Sequence, residues 1–110
     1  MVRPNAIKLT LSIPTHDNSG APFLDEDYVW LLDQLVTLFP EGHTRVGNVS
    51  GYWQGHNDEN MLYFATIGVE NEIQAEAALA PVRSFLTQAK ERFRQDAMYL
   101  EWEWVNVELL

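Results

Sequence analysis

The chain of 110 residues contains no cysteine. That absence excludes a thiol nucleophile, a disulfide framework and a thiolate zinc site, and it suits a reducing compartment. No apolar run approaches the roughly 20 residues that a membrane span requires. The start of the chain, residues 1–5, lacks the apolar core of a signal peptide. We therefore expect one soluble, cytoplasmic domain over residues 1–110 with no membrane attachment.

Basic residues are also scarce. Seven lysines and arginines stand against sixteen aspartates and glutamates, which gives a net charge of −9. A phosphate backbone or an anionic membrane is bound by clustered lysines and arginines, so this balance argues against nucleic acid or membrane as a direct ligand. We expect a neutral or basic partner instead.

Hydrophobic periodicity predicts six elements in the order strand, helix, strand, strand, helix, strand. Their predicted bounds are residues 7–13, 25–39, 44–54, 61–69, 73–93 and 98–104. This order predicts an α+β fold of the ferredoxin-like βαββαβ type, a four-stranded antiparallel sheet with two helices on one face. The other face of the sheet stays open. Domains of that fold often pair through their open faces, so by analogy we expect a homodimer.

Glycine and proline predict irregular features within these elements. Gly47, Gly51 and Gly55 recur at four-residue intervals, which favours a bent or bulged second strand. Residues 55–60 have the composition of a turn. Pro81 is expected to kink the second helix or divide it into two pieces, because proline removes one helical hydrogen bond.

The sequence pattern predicts which side of the fold is occupied by four residues of the last strand and by one tryptophan of the first helix. Alternation predicts an apolar face with Trp102 and Trp104 and an acidic face with Glu101 and Glu103. We expect the two tryptophans of this strand to pack in the core under the helices. Trp30 lies off the apolar stripe of the first helix, so it is expected to be exposed and to anchor an interface.

Two stretches have distinctive sequences: the first runs from residues 39–44 (FPEGHT) to 51–54 (GYWQ), and the second is residues 92–98 (RFRQDAM). Over roughly residues 39–100 the chain resembles an uncharacterised bacterial family, domain of unknown function number 3574. Members of that family carry no assigned activity, so the resemblance implies a shared fold and no particular chemistry.

No catalytic pattern is visible. His16, His43 and His56 lie in three different predicted loops, and none has a second histidine at the spacing of a helical metal site. His56 with Asp58 and Glu59 is the best metal cluster in the sequence, although an acidic hairpin loop with one histidine is typical of a solvated turn. There is no Gly-x-Ser-x-Gly nucleophile motif. We predict no catalytic residue, no metal and no cofactor.

Charge placement is more informative than any catalytic pattern. The second half of the second helix, taken as far as Arg94, contains Arg83, Lys90, Arg92 and Arg94 against one acid, Glu91. Cations near the C-terminal end of a helix interact favourably with the helix dipole, which partly explains their position. The remainder of the chain is correspondingly more acidic, which predicts a polarised molecule.

An acidic surface of this kind is expected to bind a basic protein, unless it only keeps the protein soluble. The predicted partner-binding residues are nine acids and one tryptophan: Asp25, Glu26, Asp27, Trp30, Glu59, Glu70, Glu72, Glu76, Glu101 and Glu103. We expect a non-enzymatic protein that inhibits a nuclease or a nucleic-acid-binding complex. Toxin immunity proteins and phage-encoded inhibitors of bacterial defence, such as anti-CRISPR proteins, act by this kind of electrostatic complementarity.

A rival interpretation is a dimeric domain that binds a small molecule or catalyses a cofactor-free reaction. Its pocket would lie between the sheet and the helices. The polar and aromatic residues expected near that pocket are His43, Tyr52, Trp53, His56 and Tyr63. A salt-sensitive complex with a basic protein would favour the inhibitor, whereas a thermal shift with metabolites would favour the pocket.

Overall fold

Six elements follow one another in the order that the periodicity predicts. The computed structural model describes residues 4–110, so part of the segment used to assess a signal peptide lies outside the described residues. The elements are β1 (Ala6–Pro14), α1 (Asp25–Leu38), β2 (Thr44–Trp53), β3 (His56–Gly68), α2 (Glu72–Arg92) and β4 (Tyr99–Val105). The strands form one antiparallel sheet in the order β2-β3-β1-β4. The predicted α+β class, with four antiparallel strands and two helices, is confirmed.

The core forms where alternate residues of β1 meet both helices. Ile7, Leu9 and Leu11 are buried, and they belong to the same hydrophobic cluster as Leu35 of α1 and Val82 of α2. Both helices therefore cover one face of the sheet. Each fully buried side chain of this size contributes about 1.5–3 kcal/mol relative to an exposed one. The alternation along β1 thus determines which face the helices cover.

The opposite face of the sheet carries the acidic side of β4. Lys8 and Thr10 alternate with the core residues of β1 and remain half-exposed. Glu103 is paired with Lys8, and Glu101 is paired with Thr10. Since directly paired residues share a face, the predicted acidic face of β4 is confirmed. We refer to this face as the open face.

The two tryptophans of β4 lie on the core face, because Trp102 is paired with Leu9 and Trp104 with Ile7. Trp104 packs against the core, whereas Trp102 remains 37% exposed. Both side chains lie on the edge strand, where a residue has a neighbouring strand on one side only. The prediction of core packing is confirmed for Trp104 and wrong for Trp102.

The hairpin between β2 and β3 has a tighter turn than its sequence indicates. Gln54 and Gly55 have φ values of 46° and 85°, which fits a two-residue type I′ turn. Residues 56–60, predicted as a loop, are instead paired with β2. Because β1 pairs with β3 only as far as Asn60, the hairpin beyond that point is a two-stranded arm. We call residues 50–59 the arm; water on both sides of it explains its polar sequence.

The predicted bulge in β2 is confirmed. The register between β2 and β3 shifts between Arg45 and Gly47. Gly47 has a φ of 137°, a backbone conformation that residues with a Cβ atom rarely adopt. A glycine is therefore needed at this point of the strand.

α2 is one continuous helix of 21 residues, so the predicted division at Pro81 does not occur. Pro81 is exposed, and the carbonyl of Ala77 that loses its helical partner lies on the side where water can bind it. Asn71 caps the start of the helix, because its side chain accepts a hydrogen bond from the backbone amide of Gln74 at 2.9 Å. Among the described residues, no helix has the length and apolar character needed to cross a membrane.

Candidate functional site

The ten predicted partner-binding residues do not form one surface. At the start of α1, Asp27 forms a salt bridge of 3.2 Å with Arg92, at the last residue of α2. Glu72 is the first residue of the same helix, and a helix of this length spans about 30 Å. The acids of α1 and the acids at the start of α2 therefore lie at opposite ends of the molecule.

The acids at the start of α2 border a groove of about 590 Å³. Glu70 and Glu72 line it together with Trp104 and Ile73. Ile73 is 83% exposed. Glu76 lies one turn further along α2 and is outside the groove. This end of the molecule therefore combines two of the predicted acids with two apolar side chains.

The remaining predicted acids lie elsewhere. Glu101 and Glu103 are on the open face, where Glu101 accepts a hydrogen bond of 2.6 Å from the Tyr99 hydroxyl. That hydrogen bond raises the pKa of Tyr99. Glu59 is in the arm, and its backbone carbonyl accepts a hydrogen bond from the amide of Thr15 at 3.1 Å. Neither location adjoins the acids of α1.

Asp27 and Trp30 have packing roles. Asp27 is 8% exposed, and its carboxylate accepts a hydrogen bond of 3.2 Å from the Leu24 amide at the start of α1. Trp30 stacks on Phe85 with 5.7 Å between ring centroids, and the guanidinium of Arg92 lies 4.9 Å from its ring. The expectation that Trp30 is exposed is wrong, because α1 packs against α2 as well as against the sheet.

Sequence reasoning missed an exposed apolar row on the outer side of α1. Val29, Leu32 and Val36 are 68%, 56% and 56% exposed. Their spacing of three and four residues places them in one row along the helix. We call these three residues the α1 ridge. Helical spacing alone predicts Leu32 in the same buried stripe as Leu31 and Leu35, whereas the structure exposes it. The signal that identifies the ridge is that α1 has more apolar residues than one buried side can hold.

Carboxylates adjoin the α1 ridge. Asp25 lies one turn before Val29, and Glu26 and Asp33 lie three residues before and four residues after it. α1 contains four acidic residues and no basic one. Within residues 4–110, Asp25, Glu26 and Asp33 form no salt bridge. The outer side of α1 is therefore an apolar strip beside carboxylates that form no ion pair within the described chain.

The arginines of α2 and the arginine that follows it form intramolecular salt bridges. The N–O distances of their salt bridges are 2.7 Å for Arg83 and Glu76, 3.2 Å for Arg92 and Asp27, and 3.0 Å for Arg94 and Asp17. The predicted basic end of the molecule is therefore largely neutralised, because three of its four cations each have a carboxylate partner. The acidic surface lacks the expected basic counterpart.

Asp17 fastens the loop between β1 and α1 to the end of α2. Its carboxylate accepts hydrogen bonds from the Ser19 hydroxyl at 2.7 Å, the Ala21 amide at 2.9 Å and the Arg94 guanidinium at 3.0 Å. These bonds, led by the one from Ser19, lower the pKa of Asp17 to about 2. This carboxylate is a structural anchor and is not free for a partner.

The five residues predicted to line a small-molecule pocket fall into two separate groups. His43 and Tyr63 are neighbours, with ring centroids 6.1 Å apart, and Tyr63 is buried. Tyr52, Trp53 and His56 are exposed near the tip of the arm. From the rise per residue of a strand, the tip is about 20 Å from Tyr63. The structure therefore does not bring these residues to one pocket.

The best metal cluster that the sequence offers is divided by the strand that contains it. His56 and Asp58 lie on one side of β3 and Glu59 on the other, because successive side chains of a strand alternate. Asp58 also accepts a hydrogen bond of 3.0 Å from the side chain of Asn60. Over the part of the chain that the structure describes, no group of three or more His, Cys, Asp and Glu side chains could hold a metal ion.

Comparison with models of known protein families finds no match to this chain. A search of curated proteins likewise finds no similar sequence. The role of the molecule must therefore be inferred from the geometry and charge of its surfaces.

Proposed function

We propose that this chain is a non-enzymatic binding protein that engages and inhibits a basic protein partner. One observation carries the proposal: the arginines of α2 form internal salt bridges, whereas a large share of the carboxylates forms none among residues 4–110. Asp25, Glu26 and Asp33 at one end, and Glu70 and Glu72 at the other, are the clearest examples. A net charge of −9 thus acts on any approaching molecule.

This charge selects the kind of partner. Potentials of one sign steer oppositely charged proteins into an encounter and slow the approach of like-charged ones. A nuclease or another nucleic-acid-binding complex presents a basic surface to its substrate, so an acidic protein on that surface blocks it. The composition is that of immunity proteins and of phage inhibitors of bacterial defence. Direct binding to nucleic acid or to an anionic membrane is disfavoured by the same charge.

We further propose the ferredoxin-like βαββαβ sandwich as the architecture. In the strand order, β3 lies between β1 and β2, and β1 lies between β3 and β4. This interleaving of two β-α-β units supports the proposal. The resemblance to domain of unknown function number 3574, carried by residues 39–44 running to 51–54 and by residues 92–98, stays a prediction. The homodimer through the open face and the cytoplasmic location stay predictions.

Affinity capture from a host-cell lysate tests the function. The tagged protein is washed at low and at high salt, and the retained proteins are identified by mass spectrometry. We expect a basic nuclease or nucleic-acid-binding protein that elutes with salt and loses activity when purified protein is added. If no such protein is retained, or if its activity is unchanged, the proposed function is wrong.

Charge variants at the two ends show which acids contribute. Asp25→Asn with Glu26→Gln and Asp33→Asn removes charge beside the α1 ridge. Glu70→Gln with Glu72→Gln removes charge at the groove. The matched control for each set exchanges Asp and Glu, which keeps the charge. We expect capture to weaken with at least one neutral set and with neither control.

A further inference from the structure

The α1 ridge is an apolar strip that the fold itself does not use. Leu31 and Leu35 on the inner side of α1 are almost completely buried in the core. Val29, Leu32 and Val36 point away from that core and are more than half exposed. Positions i, i+3 and i+7 are the spacing at which one helix packs along another. A contiguous exposed apolar row beside polar residues is characteristic of a protein-binding site.

The charge beside this strip has one sign. Asp25 extends the row toward the start of α1, while Glu26 and Asp33, seven residues apart, form a parallel row on one flank. α1 has no basic residue. The complementary surface is a helix with an apolar stripe bordered by lysines and arginines, because such a helix fills the strip and neutralises its border at the same time.

We propose that the α1 ridge and its three neighbouring carboxylates bind an amphipathic basic helix of the protein partner. The inference rests on the proposed function and specifies the contact surface and the binding element. Leu32, at the middle of the ridge, is the central apolar contact. Asp25, Glu26 and Asp33 fix the orientation of the bound helix through its cations.

A second copy of this chain does not fit the same surface. Two α1 helices side by side would bring three exposed carboxylates against three, with no base on either helix. The α2 region offers no free stripe of arginines either, because Arg83, Arg92 and Arg94 already have carboxylate partners. Charge complementarity therefore favours a basic partner over self-association.

A synthetic peptide tests the proposal without knowledge of the natural partner. The probe is a leucine and lysine peptide of about 18 residues, with leucines at i, i+3, i+4 and i+7 so that they share one helical face. The control has the same composition in an order that scatters the leucines. Backbone amide shifts of the isotope-labelled protein are followed during titration. We expect the shifts to concentrate on α1, and the control to bind about tenfold more weakly.

Two variants separate the apolar and the charged contributions. Val29→Ser with Leu32→Ser and Val36→Ser is expected to abolish the difference between the two peptides. The control on α2 is Ala77→Ser with Ala80→Ser, at exposed positions outside the groove, and it should bind like the native protein. If the ridge variant fails to fold, Asp25→Asn with Glu26→Gln and Asp33→Asn still decides, since it should reduce the salt dependence of binding.

The outcomes distinguish this inference from the function on which it rests. The inference is overturned if the amide shifts occur at the groove near Glu70 or on the open face, or if both peptides bind with equal affinity. In either case the proposed function still holds if a basic partner has been captured. The inference is also overturned if neither peptide binds. A native dimer that becomes monomeric only in the ridge variant would show that a second copy covers the ridge, which overturns the inference as well.

Discussion

The two helices cover the same face of one sheet, yet their outer sides differ in character. Beyond Ile73 at its start, the outer side of α2 carries polar residues and alanines, with the salt bridge between Arg83 and Glu76 on its surface. The outer side of α1 is the apolar ridge beside unneutralised carboxylates. A helix that only covers a sheet needs one apolar side. α2 has one large exposed apolar residue, Ile73 near its start, whereas α1 has a row of three, which the proposed binding of a partner helix would explain.

The largest predicted effect separates the inner and outer sides of α1. Leu35 is fully buried, so Leu35→Ala should lower the free energy of unfolding by about 2–5 kcal/mol. Val36, the next residue, is exposed, and Val36→Ala should change it by less than about 0.5 kcal/mol. Urea denaturation measures both. An equal cost at the two positions would mean that the ridge is buried in solution, which contradicts the comparison.

A smaller effect is expected where the helices are joined. Asp27→Ala removes the acceptor for the Leu24 amide and the partner of Arg92, and it should cost about 1–2 kcal/mol. Glu26→Ala, one residue earlier and exposed, should change stability by less than about 0.5 kcal/mol. Thermal or urea unfolding of the two variants at neutral pH provides the test. A similar cost for both would show that the contact with Arg92 does not matter.

The anchor at the end of α2 predicts a pH dependence. Folding lowers the pKa of Asp17 from 3.8 to about 2, so the folded state favours the charged carboxylate. The stabilisation is therefore fully present above about pH 4 and is lost as the pH falls through 2. The stability difference between the native protein and Asp17→Asn should be constant at neutral pH and should shrink in acid. A difference that grows on acidification would reverse the assigned sign.

The smallest effect is expected on the outer side of α2. Arg83 lowers the pKa of Glu76 through a hydrogen bond, but both side chains are at least half exposed. Solvent screens such pairs, so Glu76→Gln should leave the unfolding midpoint unchanged within error. It should also leave partner binding unchanged. A loss of binding in this variant would show that α2 takes part in the contact surface.

The sequence supports the fold more fully than the site. Alternation along β1 and β4 correctly assigns the core face and the open face, because burial of one face imposes a period of two. The same reasoning does not identify the strands of the arm, because residues with water on both sides show no period of two. Trp30 packs against the core and Leu32 is exposed, which is the reverse of what the periodicity predicts. The reason is that the position of α2 beside α1 decides which apolar side of α1 is covered. The separation of Glu72 from Asp27 likewise depends on how the chain folds back.

Site-specific photocrosslinking compares the two helices most directly. A photoreactive amino acid is placed at Leu32 of α1 in one protein and at Ala80 of α2 in another, both at exposed positions. Each is irradiated in host-cell lysate at low and at high salt. We predict an adduct with a basic protein from position 32, lost at high salt, and none from position 80. Adducts from position 80 alone, or from both positions equally, would contradict the assignment of α1 as the binding surface.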